Sequence, residues 1–217
     1  MQLSAEVRLF WFDKKPAALE DWFLKAPIHI CAAGGGKVRT DVYLRDGNQI
    51  ELGVKTRGAK PGVEVTGVEV KGLVSVHGDT AEFVSYNIPI EIWSKWSSRT
   101  LDFDAKPGVT LHKTRWLRKF NTAEALPVEI ALDFREQPVG GAPPARGCNV
   151  EWTIVEIPSA ETCWTLGFEA FGRLHDIENS LRSVVRLMNG RNPPDAPGAR
   201  AASYPAWLAK RFPTPQH

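Results

Sequence analysis

Charged side chains recur along this chain at spacings that put them on one face of an extended strand. Glu51, Lys55 and Arg57 share a face, as do Glu69 with Lys71, Glu91 with Lys95, Lys113 with Arg115, and Glu129 with Asp133. Side chains two apart in a strand point the same way, so each set can act on one ligand. Lysine supplies a point charge for a phosphoryl oxygen and arginine a bidentate fork, while carboxylates among them offer oxygen ligands to a hard divalent cation. Two architectures give this pattern different meanings. An open antiparallel sheet with one dry and one solvated face carries mixed charge as ordinary surface. A sheet closed with its charged face inward encloses a wet tunnel suited to a polyphosphate. A lipocalin-like barrel for an apolar ligand fits poorly with Lys and Glu repeated on one strand face.

Other chemistries lack their signatures. There is no GxxxxGK[ST], and Gly34-Gly35-Gly36-Lys37 has neither the spacing nor the following helix of a phosphate loop. HExxH and GxSxG are absent, and the five histidines are isolated. Cys31, Cys148 and Cys163 are too far apart for a metal knuckle and odd in number, so reduced, buried thiols are expected. Lys and Arg number 27 against 25 Asp and Glu, a net +2. That balance does not specifically indicate a nucleic-acid partner, and affinity for anions must come from local arrangement. No apolar run approaches the ~20 residues that span a bilayer, and MQLSAEVRLFWFDKK lacks a signal-peptide pattern, so a cytoplasmic protein without membrane partners is expected.

The elements that must position these charges are mostly strands. At 217 residues with 43% hydrophobic and 24% charged content, the chain has globular composition. Residues 5–12 read as a strand and 14–24 as a short helix, with Leu19, Trp22 and Phe23 at helical spacing after Pro16. Cys31 to Gly36 reads as a flexible loop. From there the period is two: a hairpin of 38–44 with 49–57 about Asp46-Gly47-Asn48, then runs at 63–76, 88–96, 109–120, 128–134, 149–157 and 163–168. No helical pattern separates them, which favours antiparallel pairing. Pro89 suggests an edge or a bulge. Leu174, Ile177, Leu181, Val184, Val185 and Met188 form an apolar stripe across 169–189, stopped by Gly190. The expected fold is α+β and mostly antiparallel: a closed or nearly closed eight- to nine-stranded tunnel barrel over 1–190, with a short N-terminal and a long C-terminal helix. Residues 191–217 read as an irregular Pro- and Ala-rich tail carrying Tyr204, Trp207 and Leu208 as an apolar anchor.

The order of several short motifs resembles the CYTH superfamily, the triphosphate tunnel metalloenzymes, over residues 4–189. Asp41-Val42-Tyr43-Leu44 with Lys55-Thr56-Arg57 is similar to its DxYx and R-x-R segments. Val68-Glu69-Val70-Lys71-Gly72 is similar to its strand ending in Lys-Gly, and Lys113-Thr114-Arg115 with Phe120 to its K-x-R strand. Where the family has E-x-E-x-K this chain has Ser4-x-Glu6-x-Arg8, and its late E-x-E strand is matched by Glu151-x-Thr153. The resemblance implies that Arg8, Lys55, Arg57, Lys71, Lys113 and Arg115 clamp phosphoryl oxygens. It also implies that Glu6, with Glu91, Glu129 or Glu151, holds Mg²⁺ or Mn²⁺. Ser4 and Thr153 remove two acids from that set, so hydrolysis of a phosphoanhydride would be slow and demand high metal. The implied function is binding, with slow metal-dependent hydrolysis, of a triphosphate, polyphosphate or other phosphate-rich small molecule. The alternative is a non-catalytic ligand-binding or protein-interaction barrel, and the scattered tryptophans suit self-association into a homo-oligomer.

Overall fold

The structure, a computed structural model, describes residues 2–25, 36–44, 49–57, 67–99, 101, 108–158 and 161–213. The expected loop at Cys31 and the turn at Asp46-Gly47-Asn48 lie outside them. Among the described residues ten strands are formed: β1 Gln2–Trp11, β2 Lys37–Leu44, β3 Leu52–Arg57, β4 Val68–Phe83, β5 Tyr86–Ser98, β6 Gly108–Asn121, β7 Val128–Ile130, β8 Gly147–Glu156, β9 Thr162–Phe171 and β10 Arg200–Ala201. Three helices accompany them, α1 Ala17–Lys25, α2 Leu174–Asn189 and α3 Tyr204–Arg211.

Eight strands close into an antiparallel barrel in the order β1-β5-β4-β3-β2-β6-β8-β9, with β9 returning to β1. The closing seam runs from Ser4 opposite Phe171 to Trp11 opposite Trp164. β7 pairs only with β6, and β10 lies on β1, with Phe10 opposite Arg200. Closure removes the sheet edges, and it forces alternate residues of every strand inward.

The alternation is inverted relative to an ordinary small barrel. Ala5, Val7 and Leu9 of β1, Val150 and Trp152 of β8, and Leu166, Phe168 and Ala170 of β9 point outward into a core shared with the helices. On α2 that core takes Ile177, Leu181, Val184, Val185 and Met188, all buried. α1 follows Pro16, whose carbonyl accepts from Glu20 N, and contributes Leu19 and Phe23. The far end of α2 also pins the β4–β5 hairpin: Asn189 Oδ1 accepts from Val84 N at 3.0 Å, and Asn189 Nδ2 donates to Glu82 O at 2.7 Å. Val84 sits at φ 54°, a strained value for a β-branched residue that this pair of bonds holds in place.

Several expectations change. The helix begins after Arg173, not at 169, so Glu169 belongs to β9, and Leu174 is 60% exposed. The tail is not irregular, since it carries β10 and α3, with Trp207 and Leu208 buried. The run at 128–134 shrinks to the three residues of β7. Glu51, read as sharing a face with Lys55 and Arg57, lies before β3 on the surface. Pro89 meets both suggestions for it: β1 pairs with β5 only as far as Glu91, and the β4 register slips between Val76 and Thr80 beside the proline.

Trp152 tests the outward core directly. Its ring is fully buried between Trp11 and Phe23, with centroids at 6.0 and 6.3 Å, and its Nε1 donates to Glu20 on α1 at 3.2 Å. Trp152→Ala is expected to cost about 4 kcal/mol and lower Tm by about 10 °C, read by scanning calorimetry. A fall under about 3 °C would mean that α1 contributes little to holding the barrel.

Candidate functional site

The inward positions converge on one cavity of ≈ 260 Å³. Its wall carries Arg8 from β1, Arg39 from β2, Lys55 and Arg57 from β3, Lys71 from β4, Lys95 from β5, and Lys113 and Arg115 from β6. Five carboxylates stand among these eight cations: Glu6, Glu69, Glu91, Glu151 and Glu169. The wall therefore holds a surplus of three basic groups, of two once the buried Asp41 beside it is included, and of one once Glu136, which pairs with Arg115, is counted as well.

Most of these charges are buried, and a buried charge must find a partner or bear the cost of desolvation. Asp41 Oδ2 draws in Lys113 at 3.0 Å, Lys55 at 3.4 Å and Arg39 Nε at 3.5 Å. The Tyr43 hydroxyl accepts from the same two lysines, at 3.0 and 3.4 Å. Glu69 is met by Arg57 at 2.8 Å, Lys55 at 3.0 Å and Lys95 at 3.4 Å. Glu151 joins Arg8 to Arg115, the latter at 3.3 Å, and Arg8 Nη1 also donates to Thr165 Oγ1 at 3.0 Å. Glu6 pairs with Lys71 and accepts from Ser4 Oγ at 2.6 Å. Gly167 supplies the room for Arg8, because a Cβ there would lie 2.5 Å from the guanidinium carbon.

These contacts set the ionisation of the wall. Burial alone would raise Asp41, but attraction from Lys113, Lys55 and Arg39 outweighs it and holds the carboxyl far below its ordinary range. Glu69 is held down in the same way by Lys55, Lys95 and Arg57, and Glu151 by Arg8, Arg115 and Arg39. Glu91 moves the other way. Burial raises it, and Glu6, its register partner across β1 and β5, adds repulsion against the opposing bond from Trp93 Nε1 at 2.9 Å.

Nine of the ten residues that sequence reasoning nominated line this cavity: Arg8, Lys55, Arg57, Lys71, Lys113 and Arg115, with Glu6, Glu91 and Glu151. Glu129 does not. It lies on β7, gripped by Arg118 at 2.7 Å and Arg191 at 2.8 Å, because β7 leaves the barrel and joins only β6. Arg39, Asp41, Glu69, Lys95, Glu169 and Tyr204 were given no site role, although alternation had already placed Glu69 beside Lys71 and Lys95 beside Glu91. Alternation from Tyr43 would have added Arg39 and Asp41.

Three of the five wall carboxylates are taken up by cations rather than left open to a divalent ion. Among the described residues no three His, Cys, Asp or Glu side chains converge to hold a metal. Glu6, Glu69 and Glu151 are each committed to a lysine or arginine. Nor do Ser4 and Thr153 mark one site, since Thr153 faces Thr165, which in turn faces Phe10, six residues along β1 from Ser4. No family model matches the chain, and comparison with curated proteins finds no match.

The depressed carboxyls fix the sign of the acid response. Asp41, Glu69 and Glu151 stabilise the fold above their ordinary values near 4, and that stability is lost as pH falls below about 5 toward their folded values. Raised Glu91 contributes oppositely, but it is one group against three. Tm is expected to hold between pH 7 and 6 and to drop steadily below pH 5. Glu151→Gln should cost about 3 kcal/mol at pH 7 and flatten that drop. A Tm independent of pH down to 3 would contradict the pairing.

Proposed function

We propose that the barrel interior binds a compact, multiply charged anion of the phosphate class, and that it does so without a resident metal. One observation carries this reading: eight basic side chains and five carboxylates line a single cavity, and with Asp41 and Glu136 behind them basic groups still outnumber acids where burial makes uncompensated charge costly. A bound polyanion would relieve that imbalance. Arg115 Nε, buried, has no hydrogen-bond partner among the described residues, and Arg39 Nε has only the long contact with Asp41 at 3.5 Å. The carboxylates keep the cations spread around the wall, a preorganised cage that requires little rearrangement when an anion enters.

The CYTH resemblance implies the same ligand class, a triphosphate or polyphosphate in a charged tunnel. Its second implication, hydrolysis assisted by Mg²⁺ or Mn²⁺, has weaker support because the candidate ligands are engaged by Lys and Arg. A volume of ≈ 260 Å³ falls just below the roughly 300 to 1,000 Å³ of drug-sized ligand sites, which favours an inorganic or small organic phosphate.

Tripolyphosphate is the probe. It is expected to raise Tm by several degrees, with a gain that shrinks as salt is added and persists in EDTA. Arg57→Gln with Lys71→Met removes two wall charges, one of them on a side chain 40% exposed, and should abolish most of the shift. No Tm shift at millimolar tripolyphosphate, or a shift untouched by the double substitution, would overturn the proposal. Phosphate release with Mn²⁺ should stay slow. Fast metal-dependent turnover would show that the carboxylates rearrange around a metal when substrate is present.

A further inference from the structure

The cavity wall is built from strands except at one end, where Ser203, Tyr204 and Pro205 of the C-terminal segment close it. Ser203 caps α3, its Oγ accepting from Ala206 N at 3.4 Å, and Pro205 sits in the first turn of the helix. Gly53 on β3 makes room for this docking, since a Cβ there would lie 2.9 Å from Pro205 Cγ. Beneath Tyr204, Trp207 and Leu208 pack on Phe10, Leu111, Val155 and Cys163, inward residues that replace charge with an apolar layer. At the other end Gln2, Arg57, Glu69 and Lys95 border both this cavity and a wider outer one of ≈ 600 Å³. Among the described residues, then, the chamber has a floor on the α3 side and a mouth on the other.

The floor is a charged aromatic stack. Tyr204 lies nearly parallel to Tyr43, centroids 6.0 Å apart and planes at 21°. Its ring takes Lys113 Nζ at 3.7 Å and Arg8 Cζ at 4.9 Å from its centroid. Both cations face the ligand space as well, so Tyr204 occupies volume and charge that a longer anion would otherwise use.

We infer that Tyr204 is a specificity-determining residue, the floor that limits how deep an anion can enter and selects ligands with a small, unsubstituted anionic end. The inference rests on the anion-binding reading above. A ligand enters by the mouth, its free terminal group meets Lys113 and Arg8 against the Tyr204 ring, and anything attached to its other end remains in the outer cavity. Anions substituted at both ends cannot present such a terminus and are excluded.

Affinities from isothermal titration test this with four probes: tripolyphosphate, tetrapolyphosphate, adenosine triphosphate and a diadenosine tetraphosphate. The unaltered protein should bind tripolyphosphate and adenosine triphosphate and discriminate at least tenfold against the doubly capped compound. Tyr204→Phe keeps the ring and should leave this order unchanged. Tyr204→Ala deepens the chamber and should shift the ratio of tetrapolyphosphate to tripolyphosphate affinity about tenfold toward the longer chain. Tyr204→Leu keeps an apolar side chain for folding but loses the ring, so it deepens the chamber less and should shift the ratio the same way by a smaller factor, which covers a failure of the alanine variant to fold. Equal ratios in the unaltered protein and in Tyr204→Leu, or equal binding of the singly and doubly capped compounds, would overturn the floor while leaving anion binding intact. If no probe binds, the anion-binding reading falls and the floor with it.

Discussion

A charge enclosed by protein has to be neutralised where it stands, and that constraint organises this barrel. Asp41 is the clearest case: a fully buried carboxylate on β2 gathers cations from β2, β3 and β6, tying three neighbouring strands through their inward side chains. Removing it would leave three cations facing one another in a confined space. Glu69 performs the same service for β3 and β5, and Glu151 for β1 and β6. The strand order brings these residues level, and the pairing in turn holds the strands' inner faces in register. Since paired ions inside a protein contribute little net stability, the energetic weight falls on the apolar outer face beneath α1 and α2. The interior is left to specify geometry.

That division explains why the site offers cations freely and metal ligands poorly. A carboxylate can hold a divalent ion only if its oxygens are available, and here the same oxygens orient lysines and arginines. Glu91 stands apart, with Trp93 as its hydrogen-bond donor and a raised pKa. A single carboxyl of that kind is a poor basis for metal affinity, and it adds little repulsion to an arriving anion.

Much of the barrel was legible in the sequence because period-two alternation is a local property, written into Lys55 and Arg57 or Lys113 and Arg115 without reference to the rest of the chain. Closure and layer assignment are not local. Glu129 and Asp133 alternate like the others, yet β7 ends at Ile130 and pairs on one side only, so Glu129 serves Arg118 and Arg191. Glu169 was absorbed into the helical stripe because the apolar residues of α2 follow so closely behind it. Tyr204, Trp207 and Leu208 read correctly as an apolar anchor, but no pattern within residues 191–217 could reveal that their binding site is the inside of the barrel. Asp41 opens a motif that was recognised and Arg39 lies two residues before it; alternation puts both on the face of Tyr43, and register shows that this face is the inner one.

β1 carries a kinetic consequence. It pairs with β5 at Gln2 to Glu6, with β9 at Ser4 to Trp11 and with β10 at Leu9 and Phe10, so its partners are spread across the sequence. Such non-local pairing has a high loop-closure entropy and folds slowly. The consecutive strands β2 with β3 and β8 with β9 can form as hairpins early, while the seam at β1 must wait for both of its flanks. Until it closes, the inward lysines and arginines remain hydrated in an open, curved sheet. Closure of that seam is then the step that brings Arg8 to Glu151 and Lys71 to Glu6, so the inner charges are desolvated last.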